Sequence, residues 1–428
     1  MASTSQAPKS IAIIGASLTG LILTLSLIHH ELYSPETITV FDSRQRDTPD
    51  AANSSGVVLT PNGLRILDQL GVLPRFAHLC WLSDYRTYKN DRGETLRKTL
   101  IANERLYGYK NHRVWRRVLL QTLLEMVEEK GVMIYWGAKF DRVLDEGVQG
   151  VRFLVNGEEI LAGMLIGADG IYSSVRKYIH PHVQPEYTGV MGVLSHIQWD
   201  AVPWPSPDHE RACTIQGKPG ALVLMPEDRE GSVIMVATQA KMEDRSREEW
   251  LEMAHDKAGM ARFFQRGYED WGPTGRHVID AVCRSPDTMY LWPFLRMARL
   301  DRWASEKGRV VILGDAAHAL PPSSGQGVSQ TLEDVDTLSR LLKAQPRNLI
   351  RTLGFWQRLR QDRIDAVFNW ATNVTNVQRA PQADRDLLIQ QGKAKDADTT
   401  QGFDDMAWLY RSNADEEIEP WLRADASD

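Results

Sequence analysis

Asp315 and a glycine-rich turn occupy residues 314–327, and their types and spacing suit the binding of a cofactor. An apolar run, residues 310–313, precedes this segment and predicts a buried strand. The strand would deliver the Asp315 carboxylate to hydroxyl groups of a ribityl chain. A helix beginning near residues 325–327 would direct free backbone N–H groups and a positive dipole at a flavin ring. The alternative is a strand, a loop and a helix with no special role.

Gly15, Ser17 and Gly20 form a turn between two apolar runs near the N-terminus. Their spacing is typical of a dinucleotide-binding turn, in which glycine permits close approach of a pyrophosphate. Ser17 stands where the second glycine is usual, and its small hydroxyl side chain could itself bond a phosphate. Asp42 ends the next predicted strand, about 20 residues after Gly20, where an acid holds ribose hydroxyls. Strand, helix and acid together predict a Rossmann-like domain.

The same apolar stretch, residues 11–28, has the alternatives of a signal peptide or a membrane span. Glycine and hydroxyl residues interrupt it, only Lys9 precedes it, and no small-residue cleavage site follows. We therefore expect no integral membrane segment. Cys80, Cys213 and Cys283 are widely separated, which predicts a reduced, cytoplasmic protein without disulfides or a metal site.

Asp169 belongs to a third strand-and-turn motif, which begins at Met164 and leads into a helix carrying Arg176. Ser173 or Ser174 can cap that helix. Asp169 would then lie at the carboxyl end of a strand, where open α/β sheets bind ligands. An ordinary strand–turn–helix corner is the alternative.

In this order, the three motifs resemble the single-component, FAD-dependent (class A) monooxygenases, whose familiar members are salicylate hydroxylase and p-hydroxybenzoate hydroxylase. Residues 56–72, 114–127 and 356–363 resemble further segments of that family, so the resemblance spans roughly residues 10–370. It implies non-covalent FAD, NAD(P)H as co-substrate, and O2. One oxygen atom would enter an electron-rich aromatic, indole or alkene small molecule, by hydroxylation or epoxidation through a flavin C4a-hydroperoxide. The motif spellings resemble fungal or bacterial members that act on specialised metabolites.

The resemblance also assigns residues to the cofactor. Arg116 matches a flavin-contacting arginine. Independently of the resemblance, Arg44 closely follows Asp42 and would contact the flavin or the pyridine nucleotide, with a surface role as the alternative. Pro321 and Pro322 would shape the pocket for oxygen activation rigidly, because proline fixes φ and has no N–H. Backbone amides for the pyrimidine end of the ring would come from Gly325, Gln326, Gly327 and Val328.

The acid or base of the reaction is expected on the predicted strand 193–199. Leu194, His196 and Gln198 share one face of it. The family often carries an arginine near the position of Leu194, and this chain does not. His196 has an ordinary pKa near 6.5, which suits a phenol or amine proton. Its alternative is a packed or surface histidine.

The expected fold class is α/β (α+β overall), with a Rossmann-like FAD-binding domain, an antiparallel-sheet substrate domain and a C-terminal helical region. The 428 residues are 43% hydrophobic and carry a net charge of −6 without a basic cluster, so we expect a globular monomer or homodimer that binds no nucleic acid. The expected ranges are a flexible tail (1–10), the FAD-binding domain (11–75, 105–185 and 290–345), the substrate domain (76–104 and 186–289) and the helical region (346–428).

Two finer expectations concern the C-terminal region. One long helix is predicted over residues 351–377, and residues 414–419 form an acidic surface run or a mobile tail. A function of another class also stays open, namely a non-oxygenating FAD reductase or desaturase of the same fold, or an FAD-binding regulatory protein.

Overall fold

The computed structural model describes residues 8–46, 55–345, 348–372, 377–392, 402–403 and 406–425. Most of the expected tail, residues 1–7, therefore lies outside the described residues. The strands are β1 (Ile11–Ile14), β2 (Ile38–Asp42), β3 (Gly56–Leu59), β4 (Trp81–Ser83), β5 (Tyr85–Asn90), β6 (Thr95–Leu100), β7 (Asn111–Trp115), β8 (Met133–Trp136), β9 (Phe140–Gly147), β10 (Gly150–Val155), β11 (Glu158–Ala162), β12 (Met164–Gly167), β13 (Glu186–Gln198), β14 (Cys213–Gln216), β15 (Ala221–Pro226), β16 (Val233–Lys241), β17 (Tyr290–Arg296), β18 (Val310–Ile312) and β19 (Gly402–Phe403). The helices are α1 (Leu18–His29), α2 (Pro61–Gln69), α3 (Leu73–Phe76), α4 (Glu104–Tyr107), α5 (Arg116–Glu129), α6 (Arg176–Ile179), α7 (Arg247–His255), α8 (Lys257–Phe264), α9 (Pro273–Cys283), α10 (Asp315–His318), α11 (Gly327–Ala344), α12 (Leu349–Trp370), α13 (Val377–Arg379), α14 (Gln382–Gln390), α15 (Ala407–Tyr410) and α16 (Ala414–Asp425).

A five-stranded parallel sheet, in the order β18-β12-β1-β2-β8, forms the centre of the first half of the molecule. All four residues of β1 are buried, as expected for a parallel sheet that is covered on both faces. Helix α1 is apolar around most of its circumference and packs between α5 and α11. In the register, Ile14 lies beside both Phe41 and Gly167. The segments that follow β1, β2, β12 and β18 therefore emerge at one edge of the sheet.

An eight-stranded sheet, in the order β17-β13-β16-β15-β14-β5-β6-β19, forms the second half. Its pairs are antiparallel except for β14–β5 and β19–β6. Helices α8 and α9 cover one face, where Phe264 and Ile279 join the buried core with Trp271. The other face is open toward the parallel sheet. The expected fold class is confirmed.

Strand β17 corrects one expected boundary. The cofactor domain was expected to resume at residue 290, but β17 pairs with β13 and extends the large sheet to Arg296. Pro293 lies within this strand and obscures it in the sequence. Since β17 is the edge strand of the sheet, the missing N–H of Pro293 breaks no central ladder.

Other elements refine the expected ranges. Within residues 76–104, β5 and β6 join the large sheet, whereas β4 pairs with β7 in a separate three-stranded sheet, β3-β7-β4. The long helix α12 ends at Trp370, and residues 373–376 of the prediction lie outside the described residues. The acidic run is part of α16, which packs on α11 through the buried Ile418. Within the described ranges, no helix combines the length and apolar character needed to cross a lipid bilayer.

Candidate cofactor and active site

One cavity of about 1060 Å³ lies between the carboxyl edge of the parallel sheet and the open face of the large sheet. Most of the residues expected to bind the cofactor line it. They are Gly15, Ser17, Asp42, Arg44, Arg116, Asp169, Asp315, Gly325, Gln326, Gly327 and Val328, and Pro322 lines it with them. Of the expected site residues, Gly20 and His196 are not among the lining residues. The convergence follows from the sheet register, since these segments follow neighbouring parallel strands.

Gly15 and Gly20 are required by close backbone approaches. Gly15 has φ +110°, and a Cβ there would lie 2.5 Å from the carbonyl oxygen of Ala168. A Cβ on Gly20 would lie 1.9 Å from the carbonyl oxygen of Gly15. Gly20 therefore packs α1 against the turn, behind the cavity. Ser17 begins α1 without a capping hydrogen bond from its side chain, which leaves the helix N-terminus open to a phosphate.

Asp42 is held at the cavity wall by hydrogen bonds from Ala16 and Arg44. Its Oδ2 accepts a 2.8 Å hydrogen bond from the Ala16 amide, and its Oδ1 accepts one of 2.8 Å from the Arg44 amide. The Arg44 side chain adds bonds of 3.0 Å and 2.9 Å. Burial opposes ionisation of Asp42, but these hydrogen bonds and the charge of Arg44 lower the pKa of the carboxyl below its usual value. Arg44 is therefore held beside the cofactor turn, with its side chain partly exposed.

Asp169 directs its carboxylate at the following turn. Its oxygens accept hydrogen bonds from Ser173 Oγ (2.5 Å) and the Ser174 amide (2.6 Å). Ser173 Oγ in turn accepts a 2.9 Å bond from the Arg176 amide, but the N-cap position of the helix is occupied by Val175 and by neither serine. Burial raises the pKa of Asp169, and these bonds oppose the rise. The geometry favours the alternative of a structural corner beside the cavity.

Asp315 differs, because its side chain faces the cavity without a hydrogen bond or ion pair to the described residues. It follows β18 through Gly314, which has φ +60°, and begins the single-turn helix α10. Enclosure by the protein raises the pKa of its carboxyl, and the charges of His318 and Arg116 oppose this rise. An unpaired carboxylate in this position is suited to hydroxyl donors from a ligand.

The N-terminus of α11 supplies fewer amides than expected. The Gln326 amide already donates to Ser324 Oγ at 3.2 Å, and the Gly325 amide donates to the Pro322 carbonyl at 3.1 Å. The prediction that these two amides donate to the flavin is therefore withdrawn, because each already has an acceptor within the protein. Gly327 and Val328 are the first residues of α11, so their amides lack intrahelical acceptors. A Cβ on Gly327 would meet nothing within 4 Å, which leaves this helix end accessible from the cavity.

A buried charged cluster behind α11 was missed in the sequence. Arg360 is fully buried and donates to Asp334 Oδ1 at 2.8 Å and Glu333 Oε2 at 2.6 Å. Asp334 also pairs with His318, and its Oδ2 accepts from the Gly314 amide at 3.1 Å. The cluster thereby holds the turn before Asp315 against α11. Only the resemblance of residues 356–363 pointed to this region.

His196 does not contact the cavity. Its Nε2 lies 3.0 Å from Glu227 Oε1, and its ring lies 5.1 Å from the ring of Trp115. Glu227 is fully buried and also accepts from Arg113 (2.9 Å) and Ser55 (2.8 Å). Burial raises the pKa of Glu227, but the Arg113 charge and the bond from His196 outweigh it and lower the pKa to about 2.

The expected cavity position of His196 is therefore wrong, although Leu194 on the same strand face does line the cavity. Strand β13 is 13 residues long, and near its end His196 packs beside Trp115, which is likewise not among the residues that line the cavity.

The far end of the cavity is apolar and aromatic, with residues from the large sheet and the C-terminal helices. Its walls include Leu194, Val223, Met225, Met235, Trp292, Phe294, Leu320 and Trp370. Arg86, Tyr88 and Arg379 lie at the same end. Apart from Leu194, none of these was singled out in the sequence, because no local pattern joins strands of the sheet to the C-terminal segment.

Known proteins match this architecture. The sequence model of the family described as FAD binding domain matches residues 9–348. Notoamide E oxidase from Aspergillus sp. (strain MF297-2) is 26% identical over 96% of this chain and 88% of its own length. A 3-amino-4-hydroxybenzoate 2-monooxygenase from Streptomyces platensis is 26% identical over 94% of this chain and 95% of its own. The crystal structure of CtdE in complex with FAD and a substrate superposes with a TM-score of 0.76 at 18% identity, covering 98% of this chain and 100% of that one.

At 18% identity the structural match shows the shared fold, while the family match covers the motifs that line the cofactor end of the cavity. The resemblance drawn from the three motifs is confirmed. The chain belongs to the FAD binding domain family, and it is an FAD-dependent monooxygenase.

Proposed function

We propose that the protein inserts one oxygen atom from O2 into an electron-rich aromatic small molecule, with NAD(P)H as reductant. One observation carries this proposal: the cofactor residues and an aromatic-lined chamber share a single cavity. An indole or an alkene would fit the same apolar walls. The relatives named for notoamide E and for 3-amino-4-hydroxybenzoate support an aromatic substrate from specialised metabolism.

The residues fit FAD at one end of the cavity. When bound and reduced, FAD supplies the activation of O2. Asp315 would accept hydrogen bonds from the ribityl chain, and the amides of Gly327 and Val328 would donate to the ring. Ser17 and Gly15 would face the pyrophosphate.

The chain's own residues also account for substrate handling. The apolar walls exclude water from the reacting centre, which limits wasteful release of peroxide. Pro321 and Pro322 line the cavity beside the α11 turn, and we propose that their rigid backbone shapes the site of oxygen transfer. His196 would act indirectly, because its bond to Glu227 fixes the Arg113 side chain at the cavity wall.

A pyridine nucleotide must reach the same cavity. Among the described residues, one parallel sheet carries one dinucleotide-binding turn. We therefore propose transient binding of NAD(P)H near the flavin end. A cytoplasmic location is also proposed, and the free thiols of Cys80, Cys213 and Cys283 are consistent with it.

The test is a screen of phenols, indoles and aromatic acids with the FAD-loaded protein under ¹⁸O2. A true substrate accelerates NAD(P)H oxidation and yields a product that carries one ¹⁸O atom. If compounds accelerate NAD(P)H oxidation and none acquires ¹⁸O, the protein is a reductase or desaturase instead. A protein that binds FAD but responds to no compound would favour the regulatory alternative.

A further inference from the structure

Arg379 brings a positive charge to the substrate end of the cavity. It lines the cavity from α13, opposite the walls of the large sheet. Its side chain makes no hydrogen bond or ion pair with the described residues. The charged or titratable groups that act on it are Tyr88 and Arg86, and neither is an acid that would neutralise it at neutral pH.

The short helix that carries Arg379 is fixed to the large sheet. Gln216 Nε2 donates to the carbonyl oxygen of Gln378 at 2.7 Å and to its Oε1 at 3.2 Å. Beyond α13, the Gln382 amide donates to the Lys218 carbonyl at 3.1 Å. These bonds join the C-terminal segment to the β14–β15 hairpin, so Arg379 is held at the cavity wall.

Arg379 is half-buried at the cavity wall, and a guanidinium that is partly withdrawn from water without a counter-ion is costly in a folded protein. Burial lowers the pKa of Arg379 to about 10, and the nearby charge of Arg86 lowers it further in the same direction. A group with this pKa is still protonated at neutral pH. The cavity wall therefore carries a positive charge that no described residue neutralises through an ion pair.

The acids that line the cavity lie at its other end. Among the described lining residues they are Asp42, which ends β2, and Asp169 and Asp315, which follow β12 and β18 of the parallel sheet. The groups around Arg379 are aromatic or cationic, and the Arg86 guanidinium lies 5.5 Å from the ring centre of Trp370. Among the residues that the structure describes, no acid lines this end of the cavity, so the carboxylate of a ligand would supply a counter-ion there.

We propose that Arg379 binds the carboxylate of an aromatic acid, so that the substrate class is an aromatic carboxylate; this rests on the proposed function. The planar guanidinium offers two parallel N–H donors to a carboxylate, and such bidentate pairs are strong and directional. The ring of the acid would then lie between Trp370 and the apolar walls.

Benzoate and its neutral analogue benzamide test the proposal without turnover. Their dissociation constants are measured on the FAD-loaded protein from changes in flavin absorbance, for the parent, R379M and R379K. The parent should prefer benzoate by about tenfold or more, as expected for a hydrogen bond to a charged group. R379M should lose the preference, and R379K should keep part of it. Arg92→Met, at an exposed position on the β5–β6 turn, is the matched control and should behave as the parent.

Equal binding of benzoate and benzamide by the parent, or a preference that survives in R379M, overturns the proposal even if oxygenation is found elsewhere. If R379M raises KM for NAD(P)H and leaves benzoate binding intact, the anion belongs to the pyridine nucleotide and the proposal fails. FAD retention by R379M confirms that the variant is folded. An Arg379-dependent preference for benzoate without any oxygenated product would instead leave the site standing and refute the monooxygenase reaction.

Discussion

The two ends of the cavity are built in different ways. At the cofactor end, Gly15 and Asp315 follow parallel strands within a few residues and Asp42 ends one, so short motifs carry the site. At the substrate end, Leu194, Trp370 and Arg379 come from distant segments that share no motif. Cofactor chemistry can therefore be read locally, whereas substrate chemistry depends on how the large sheet and the C-terminal helices pack together.

The buried cluster behind the cofactor end should give the largest effect. Replacing Arg360 with methionine leaves the carboxylates of Glu333 and Asp334 without their main cation. We expect a loss of about 3–5 kcal/mol in the free energy of unfolding, measured with urea. Arg358→Met, exposed on the same helix, should change it little. A stable R360M protein would mean that Arg363 suffices to neutralise the cluster.

The pH dependence of stability tests the role of the buried Glu227, whose partner Arg113 lines the cavity. Its pKa is lowered from 4.5 to about 2, so its ionised form stabilises the fold above pH 4.5, and that contribution disappears as the pH falls toward 2. E227Q should lose about 3 kcal/mol of unfolding free energy at pH 7. The difference from the parent should shrink below pH 4.5. A pH-independent difference would assign the loss to packing and not to the charge.

Asp315 tests the cofactor end alone. Replacing Asp315 with alanine should leave ribityl hydroxyls unpaired, at a cost of about 1–3 kcal/mol for each lost hydrogen bond. FAD affinity, titrated on the apoprotein, should fall, while stability without FAD should hold because Asp315 makes no bonds to the described protein. The exposed Asp301→Ala is the control. Unchanged FAD affinity would remove Asp315 from the site.

Two glycines separate packing from cofactor contact. A Cβ on Gly20 meets backbone at 1.9 Å, so G20A should lower the unfolding free energy by about 1–3 kcal/mol. A Cβ on Gly327 meets nothing within 4 Å of the protein, so G327A should be as stable as the parent. It should nevertheless bind FAD more weakly, because the methyl group enters the cavity. Normal FAD binding by G327A would show that the flavin ring lies away from α11.

Arg379 is the corresponding test of the substrate end. Its loss should change ligand preference without changing FAD affinity, which is the reverse of the result expected for D315A. The pair of variants therefore decides whether the two ends are separable.

Much of the cofactor end could be predicted from the sequence. The glycine spacing of residues 15–20, the acid at Asp42 and the segment around Asp315 are local patterns, and the parallel sheet only brings them together. Even here the sequence suggested that the amides of Gly325 and Gln326 are free to bind the flavin. They donate instead to the Pro322 carbonyl and to Ser324 Oγ, because one tight turn brings these acceptors close.

The tertiary structure alone decided the rest. A shared strand face placed Leu194 and His196 together, but only Leu194 lines the cavity, while His196 packs beside Trp115 and pairs with Glu227. Pairing of Glu227 with Arg113, and of Arg360 with Glu333, joins residues that are far apart in the chain. Sequence patterns report periodicity and local turns, which determined the nucleotide-binding fold. Which charges meet, and which remain unpaired as at Arg379, depends on long-range packing, because burial and distance decide electrostatic energies.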